Sequence, residues 1–190
     1  MRKVNQPLIV LILGLPGAGK TTLGKKIADE LHLPFISKDD IKVRLFDVYG
    51  WKDREASKQA GMASFRIMDY FTEEQIKHGN SLILESTFSP AYDDARFQAW
   101  QEAYSVRYVQ LYCYADADVV RQRFAERAET NDRHVSAVEG NEGLQVLENY
   151  IEQGFNPLNI ESEIIKVDTT DFSKVDEAGI IKQIALLLEH

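Results

Sequence analysis

The sequence predicts a three-layer α/β domain, a parallel sheet of five strands with helices on both faces. Three observations carry that expectation. Short apolar runs alternate with longer segments of helical periodicity, the pattern of repeated strand–helix units. The first run, residues 8–13, is apolar at every position, as a strand buried on both faces must be. The 190 residues are 44% hydrophobic and 27% charged, enough apolar material for one core and no sign of a disordered tract. No repeat, low-complexity segment or linker divides the chain, so residues 1–190 are expected to form a single domain.

The first strand runs directly into Gly14-Leu15-Pro16-Gly17-Ala18-Gly19-Lys20-Thr21, with Thr22 next. This fits G-x-x-x-x-G-K-[ST] at every fixed position. Glycines let the backbone curl with its N–H groups turned inward, a nest for phosphates. A helix over Lys20–Leu31 adds its positive dipole end. Lys20 is then expected to reach the outer phosphates and Thr21 to ligate Mg²⁺. The competing reading, a glycine-rich turn beside a solvated lysine, fits the flanking strand and helix less well.

The second strand, residues 34–37, leads into Lys38-Asp39-Asp40, two carboxylates just past a strand end, where open α/β sheets bind ligands. An aspartate there can take the proton of a hydroxyl attacking a γ-phosphate. Equally, Asp39 and Asp40 can serve as N-cap or first-turn acids of the next helix. A helical stretch follows over residues 40–78, expected to form the acceptor-binding insertion with Lys42, Arg44, Trp51, Lys52, Arg54, Phe65, Arg66 and Tyr70. The spacing of Ala56, Ala60, Ala63, Ile67 and Phe71 predicts that Ile67 and Phe71 face the core.

The third strand, Leu82–Glu85, ends in Glu85-Ser86-Thr87. Glu85 reads either as a group holding a water on Mg²⁺ or gripping substrate, or as part of a capping cluster before Ser89-Pro90. A helix over 91–104 and a fourth strand over 106–112 come next. Cys113, the only cysteine, reads as a small core residue, and its solitude excludes an internal disulfide and a Cys/His metal site. Helix 116–128 takes Asp116 or Asp118 as N-cap and turns Val120 and Phe124 inward. Arg123 and Arg127 stand at i, i+4, where like charges welcome an anion between them. Arg133-His134 follows in the polar segment 129–143, read as mobile surface. The alternative is a solvated helix whose arginines Glu126 and Glu129 neutralise. A fifth strand over 164–167 precedes Thr169 and Thr170, and a last helix covers 175–188.

Several classes fall away. Acids outnumber bases 30 to 22, a net charge of −8 that argues against coating a nucleic acid backbone. The six apolar residues of the first strand are too short to span a membrane and precede no cleavage site, so a cytoplasmic location is expected. There is no Asn-Lys-x-Asp segment to read guanine, and Asp176-Glu177-Ala178-Gly179, in the last helix, matches a GTPase motif only by accident. No strand ends in Asp-Glu, as a mechanical ATPase would require.

Residues 14–22, followed by Ser37-Lys38-Asp39-Asp40-Ile41, resemble the small P-loop kinases of the polynucleotide-kinase, zeta-toxin and chloramphenicol-phosphotransferase group. The resemblance implies the P-loop NTPase fold with a helical lid, ATP and Mg²⁺ as cofactors, and Asp39 as general base. Lys38 and Lys42 stand where polynucleotide kinases have arginines, which keeps charge and loses the planar fork. It further implies that residues of about 116–143 form the lid, whose Arg123, Arg127 and Arg133 close over ATP and stabilise the transferring phosphoryl group. By the same likeness Thr169 and Thr170 border the adenine ring. Arg44 and Arg66 are too few to grip an acceptor phosphate, so the expected acceptor is a small-molecule hydroxyl, with Asp39, Lys42, Arg44 and Glu85 toward the substrate. A polynucleotide 5′-hydroxyl kinase and a non-transferring ATPase are the alternatives.

Overall fold

The structure, a computed structural model, describes residues 6–50, 52–129 and 140–189, without the side chains of 127–129 and 140–142. Trp51, Arg133, His134 and the Arg127 side chain lie outside that description. Five strands form one sheet: β1 (Leu8–Gly14), β2 (Phe35–Ser37), β3 (Leu82–Glu85), β4 (Arg107–Tyr114) and β5 (Glu163–Asp168). Their order is β2-β3-β1-β4-β5 and every pairing is parallel. The described helices are α1 (Lys20–Leu31), α2 (Lys38–Tyr49), α3 (Arg54–Lys77), α4 (Pro90–Tyr104), α5 (Ala117–Glu129), α6 (Gly140–Gln153) and α7 (Glu177–Leu188). None among the described residues is long and apolar enough to cross a membrane.

β1 is buried at all seven positions, and its alternation divides the core. Leu8, Val10 and Ile12 pack with Leu23 and Ile27 of α1 and with Ile180 and Ile184 of α7. Ile9, Leu11 and Leu13 pack on the other face with Met68 of α3 and with Phe97 and Trp100 of α4. A strand buried from both sides has no polar face to show, so its run is unbroken. Because β1 lies between β3 and β4, the chain leaves it in opposite directions on its two sides. That switch point opens a crevice at the strands' C-terminal ends. The register sets Ile12, Glu85 and Ser37 level across β1, β3 and β2.

Three departures from the sequence expectations have physical reasons. The stretch 40–78 is two helices, because Gly50 turns the chain at φ 73° and the Asp53 side chain caps α3 by accepting from the Ala56 N–H. Ile67 and Phe71 are 44% and 46% exposed, not core. The face that α3 buries carries Ser57, Ser64, Met68, Thr72 and Ile76. Ser64 and Thr72 donate to the carbonyls of Ala60 and Met68, 2.7 Å each, so hydroxyls go inside at little cost. Finally, α6 continues beyond the segment read as irregular, with Leu147 fully buried and Glu148 gripped by Arg121 of α5 through two hydrogen bonds of 2.8 and 2.7 Å.

The accidental motif has a plain explanation. Asp176 is the N-cap of α7, and its Oδ1 accepts from the Gly179 N–H at 2.9 Å.

Candidate active site

The phosphate loop takes its shape from positions where a side chain would not fit. Gly14 has φ +145°, and a Cβ there would stand 2.1 Å from the Cys113 carbonyl oxygen. Gly19, at φ +72°, would drive a Cβ into the Phe172 ring at 2.8 Å. Gly19 is also the N-cap of α1 and offers no side-chain oxygen to the first-turn amides. Those amides, with the helix dipole behind them, suit an external anion. Gly17 and Ala18 are buried, Leu15 and Pro16 half-buried, and Thr22 is exposed.

Lys20 is 7% exposed, and its Nζ donates to the Leu15 carbonyl at 3.0 Å. The same ammonium lies 3.9 Å from Oε1 of Glu85, which is 4% exposed. Oε2 of Glu85 accepts from Ser37 Oγ at 2.6 Å and from Thr21 Oγ1 at 3.4 Å. Glu85 therefore joins the ends of β2 and β3 to the first turn of α1. It takes no part in capping α4, whose start is fixed instead by Asp93 accepting from the Ser89 N–H at 2.8 Å. Cys113 lies buried nearby, its thiol pushed up to about 12 by burial, which keeps it an unreactive core residue.

Ser37 is the member that sequence reasoning missed. It is the N-cap of α2, accepting from the Asp40 N–H at 3.4 Å while donating to Glu85. The signal was present as Ser37-x-x-Asp40, a capping-box spacing. With Ser37 as cap, both aspartates fall in the first turn of α2, and they part company there. Asp40 lies 3.8 Å from Lys25 of α1, whereas Asp39 pairs with Lys38 at 3.1 Å and is 64% exposed. Lys42 and Arg44 are engaged along α2 itself, Lys42 over the Phe46 ring at 5.9 Å and Arg44 with Asp47 at 3.4 Å.

On the opposite side of the loop, α5 lies against Gly17 through Val120. Arg123 donates from Nη2 to the carbonyls of Thr169 (2.8 Å) and Thr170 (3.2 Å), and its Nη1 is buried without a partner among the described residues. Thr169 is fully buried, its hydroxyl within hydrogen-bond distance of the carbonyls of Tyr114 (2.9 Å) and Ala18 (3.2 Å). It thus ties the exit of β5 to the phosphate loop. Thr170 Oγ1 accepts from the Asp116 N–H at 3.0 Å. Arg123 accordingly belongs to the β5 exit, while the expected roles of Arg127 and Arg133 rest on groups outside the described residues.

Behind the β3 exit sits a second charged group that the sequence did not disclose. Arg96 of α4 pairs with Asp69 of α3 at 2.6 Å and with Asp93. Its guanidinium lies 4.8 Å from the Phe97 ring and 5.3 Å from that of Phe65. Burial raises both carboxyls above their ordinary range, against the lowering effect of Arg96.

A family model described as an AAA domain (AAA_33) matches residues 9–149. The chain belongs to that family. AAA_33 is a family of P-loop kinases, so the P-loop kinase resemblance and the P-loop NTPase fold both hold. The AAA_33 chain is similar to a solved structure from Chloroflexus aurantiacus J-10-fl, described as a candidate kinase. The two are 29% identical, with a TM-score of 0.88 over 96% of this chain and 98% of that one. The shikimate kinase of Bacteroides thetaiotaomicron shares the fold at 18% identity, with a TM-score of 0.56 over 96% and 99% of the two chains. In sequence the chain is similar to the shikimate kinase of Brucella canis, 28% identical over 127 residues. That match covers 67% of this chain and 60% of the length of its relative.

Proposed function

We propose that this AAA_33 chain is a small-molecule kinase that transfers the γ-phosphoryl group of ATP to an acceptor hydroxyl. One observation carries the reading. Lys20, Thr21, Ser37 and Glu85 converge at the C-terminal ends of β1, β2 and β3, with Asp39 two residues past Ser37 on the first turn of α2. Relatives named as kinases support it.

The residues divide the work by position. First-turn amides of α1 and the Lys20 ammonium take the nucleotide phosphates. Thr21 and Glu85 present hard oxygen donors of the kind Mg²⁺ prefers, and these two would hold it. Bound with the nucleotide, the ion neutralises charge building on the phosphoryl oxygens. Asp39 accepts the acceptor's proton as that oxygen bonds to the γ-phosphorus. The bond from that phosphorus to the bridging oxygen breaks, and ADP leaves with the electron pair. Residues 40–78 form the acceptor side and 116–143 the lid. Thr169 and Thr170 border the base, and a cytoplasmic location belongs to the same reading.

ATP labelled in the γ-phosphate, offered with a panel of small alcohols, tests the proposal. Label on an organic acceptor is the expected result. Label in free phosphate alone makes the chain an ATPase and sinks the kinase reading. Transfer confined to 5′-hydroxyl oligonucleotides, weakening steeply with salt, would make it a polynucleotide kinase instead.

Arg123 offers a separate check. Because its guanidinium holds the β5 exit through two carbonyls, Arg123→Ala is expected to raise the KM for ATP by ~10-fold, with a smaller effect on kcat. Steady-state kinetics decide between this and the transition-state role, which would lower kcat at an unchanged KM.

A further inference from the structure

We propose that the chain pairs with a second copy of itself through α3, the two helices running antiparallel about a two-fold axis. The surface concerned lies away from the candidate site. Gly61 and Phe65 of α3 face Lys38. At ~100° per residue, Ala63, Ile67 and Tyr70 project from the other side of the helix.

That side has two unlike halves. Near the start of α3 the small residues Ala60 and Ala63 leave a cavity of about 330 Å³ against Leu45 and Tyr49 of α2. Further along, the same side carries Ile67, Tyr70 and Phe71, all exposed, with Tyr70 at 69%. A cluster of large apolar side chains left open to water in this way marks an interaction surface. A two-fold contact is self-complementary, so one surface must supply both the hollow and the side chain that fills it. α3 supplies both.

An axis at residue 65 sets Ile67 of one copy opposite Ala63 of the other, and Tyr70 opposite Ala60 at the hollow. The aromatic ring loses its water twice over, once at each end of the contact. The charges agree with this register. Glu74 falls opposite Ala56, beside the exposed Lys52 at the rim of the hollow, and Lys77 falls opposite the exposed Asp53. Glu74 and Lys77 pair with each other at 3.0 Å on the surface, where such side chains turn toward a new partner at little cost. Arg66 meets its own copy beside the axis, a like-charge contact that weakens the pairing. Asp69, close enough for the Arg66 charge to lower its carboxyl, offsets part of that repulsion.

One helix and the end of another make a small interface, so the dissociation constant is expected at ~10–100 μM. Sedimentation velocity on the full chain tests this. Wild type should pass from monomer to dimer between ~1 and ~300 μM. Tyr70→Ser, which empties the hollow, should raise the dissociation constant at least ~10-fold. Lys52→Glu and Glu74→Lys, each alone, should weaken the dimer as well, because each sets like charges opposite one another at both ends. An equimolar mixture of these two single variants should dimerise again, since the mixed pair brings opposite charges together at both ends. Misfolded variants could not be rescued by mixing, so this arm holds whatever the substitutions do to stability. A wild type that stays monomeric throughout, or a dimer that Tyr70→Ser leaves intact, would overturn the proposal. So would a mixture that associates no better than its two components.

Discussion

Lys20→Ala is expected to lower turnover by at least ~100-fold, the scale of losing a charge stabiliser at a transferring phosphoryl group. The structure shows why that number needs a control. Lys20 also faces Glu85 at 3.9 Å, and both side chains are almost wholly buried. Removing one partner of a buried pair leaves the other charge uncompensated, which costs up to ~3–5 kcal/mol, and less for a pair this widely spaced. A rate loss in the single mutant thus mixes catalysis with stability. The double mutant Lys20→Ala/Glu85→Gln separates them. It removes both charges while the amide oxygen that replaces the carboxylate can still accept from Ser37, so its urea midpoint should return toward that of wild type. Turnover should not return, because the phosphates still lack their cation. Recovery of both would make Lys20 a holder of Glu85 rather than a phosphate ligand. A full rate in a folded Lys20→Ala protein would sink the phosphate-loop reading altogether.

What the sequence disclosed of this fold follows from how directly each pattern depends on burial. β1 is covered from both sides, so six apolar residues in a row could only be a central strand. The loop after it is equally legible, since Gly14 and Gly19 are required by close approach to Cys113 and Phe172. α3 misled because hydrophobicity and burial point to different faces. Ala56, Ala60 and Ala63, at one end of the apolar stripe, only line a pocket shared with Leu45, Phe46 and Tyr49 of α2, and Ile67 and Phe71 at the other end remain exposed. Meanwhile Ser64 and Thr72 enter the interior by satisfying their own helix. α6 was hidden because Gly140, Asn141 and Gly143 at its start read as a turn, although Leu147 is fully buried; the segment after the helix is held by Gln110. That buried amide on β4 holds the backbone of Leu158 from both sides. Polar side chains that act as core leave no periodic trace.

The candidate site shows the same division. Lys20 and Thr21 are fixed by motif and position. The pairing of Ser37 with Glu85 depends on β2 and β3 being neighbours, which spacing along the chain does not reveal. Nor does the sequence separate Asp39 from Asp40, since either suits the first turn of a helix. The difference appears only when α1 brings Lys25 to one and the α2–α3 cleft holds Lys38 beside the other.

That difference makes Asp39→Asn the sharpest test of the chemistry. Asparagine keeps the shape and the hydrogen-bonding reach of the side chain but removes its charge and basicity. Phosphoryl transfer should therefore fall by ~10²–10⁴. ATP affinity should change little, because the loop amides and Lys20 are untouched. Asp40→Asn is the matched control. Its N–H is already capped by Ser37, and its carboxylate is 58% exposed at 3.8 Å from an equally exposed Lys25. An ion pair of that kind contributes about 0–1 kcal/mol, and an asparagine in the first turn is tolerated. Nucleotide titration and acceptor-dependent ADP release on both variants give the comparison. Loss of transfer in Asp40→Asn with full activity in Asp39→Asn would shift the base by one residue. Full transfer in both would move attention to Glu85, the remaining carboxylate at these strand ends. It is a poor base as the structure stands, because Ser37 and Thr21 already occupy Oε2 and Lys20 lies beside Oε1. Asp39, 64% exposed on the first turn of α2, is the carboxylate we propose an incoming hydroxyl meets.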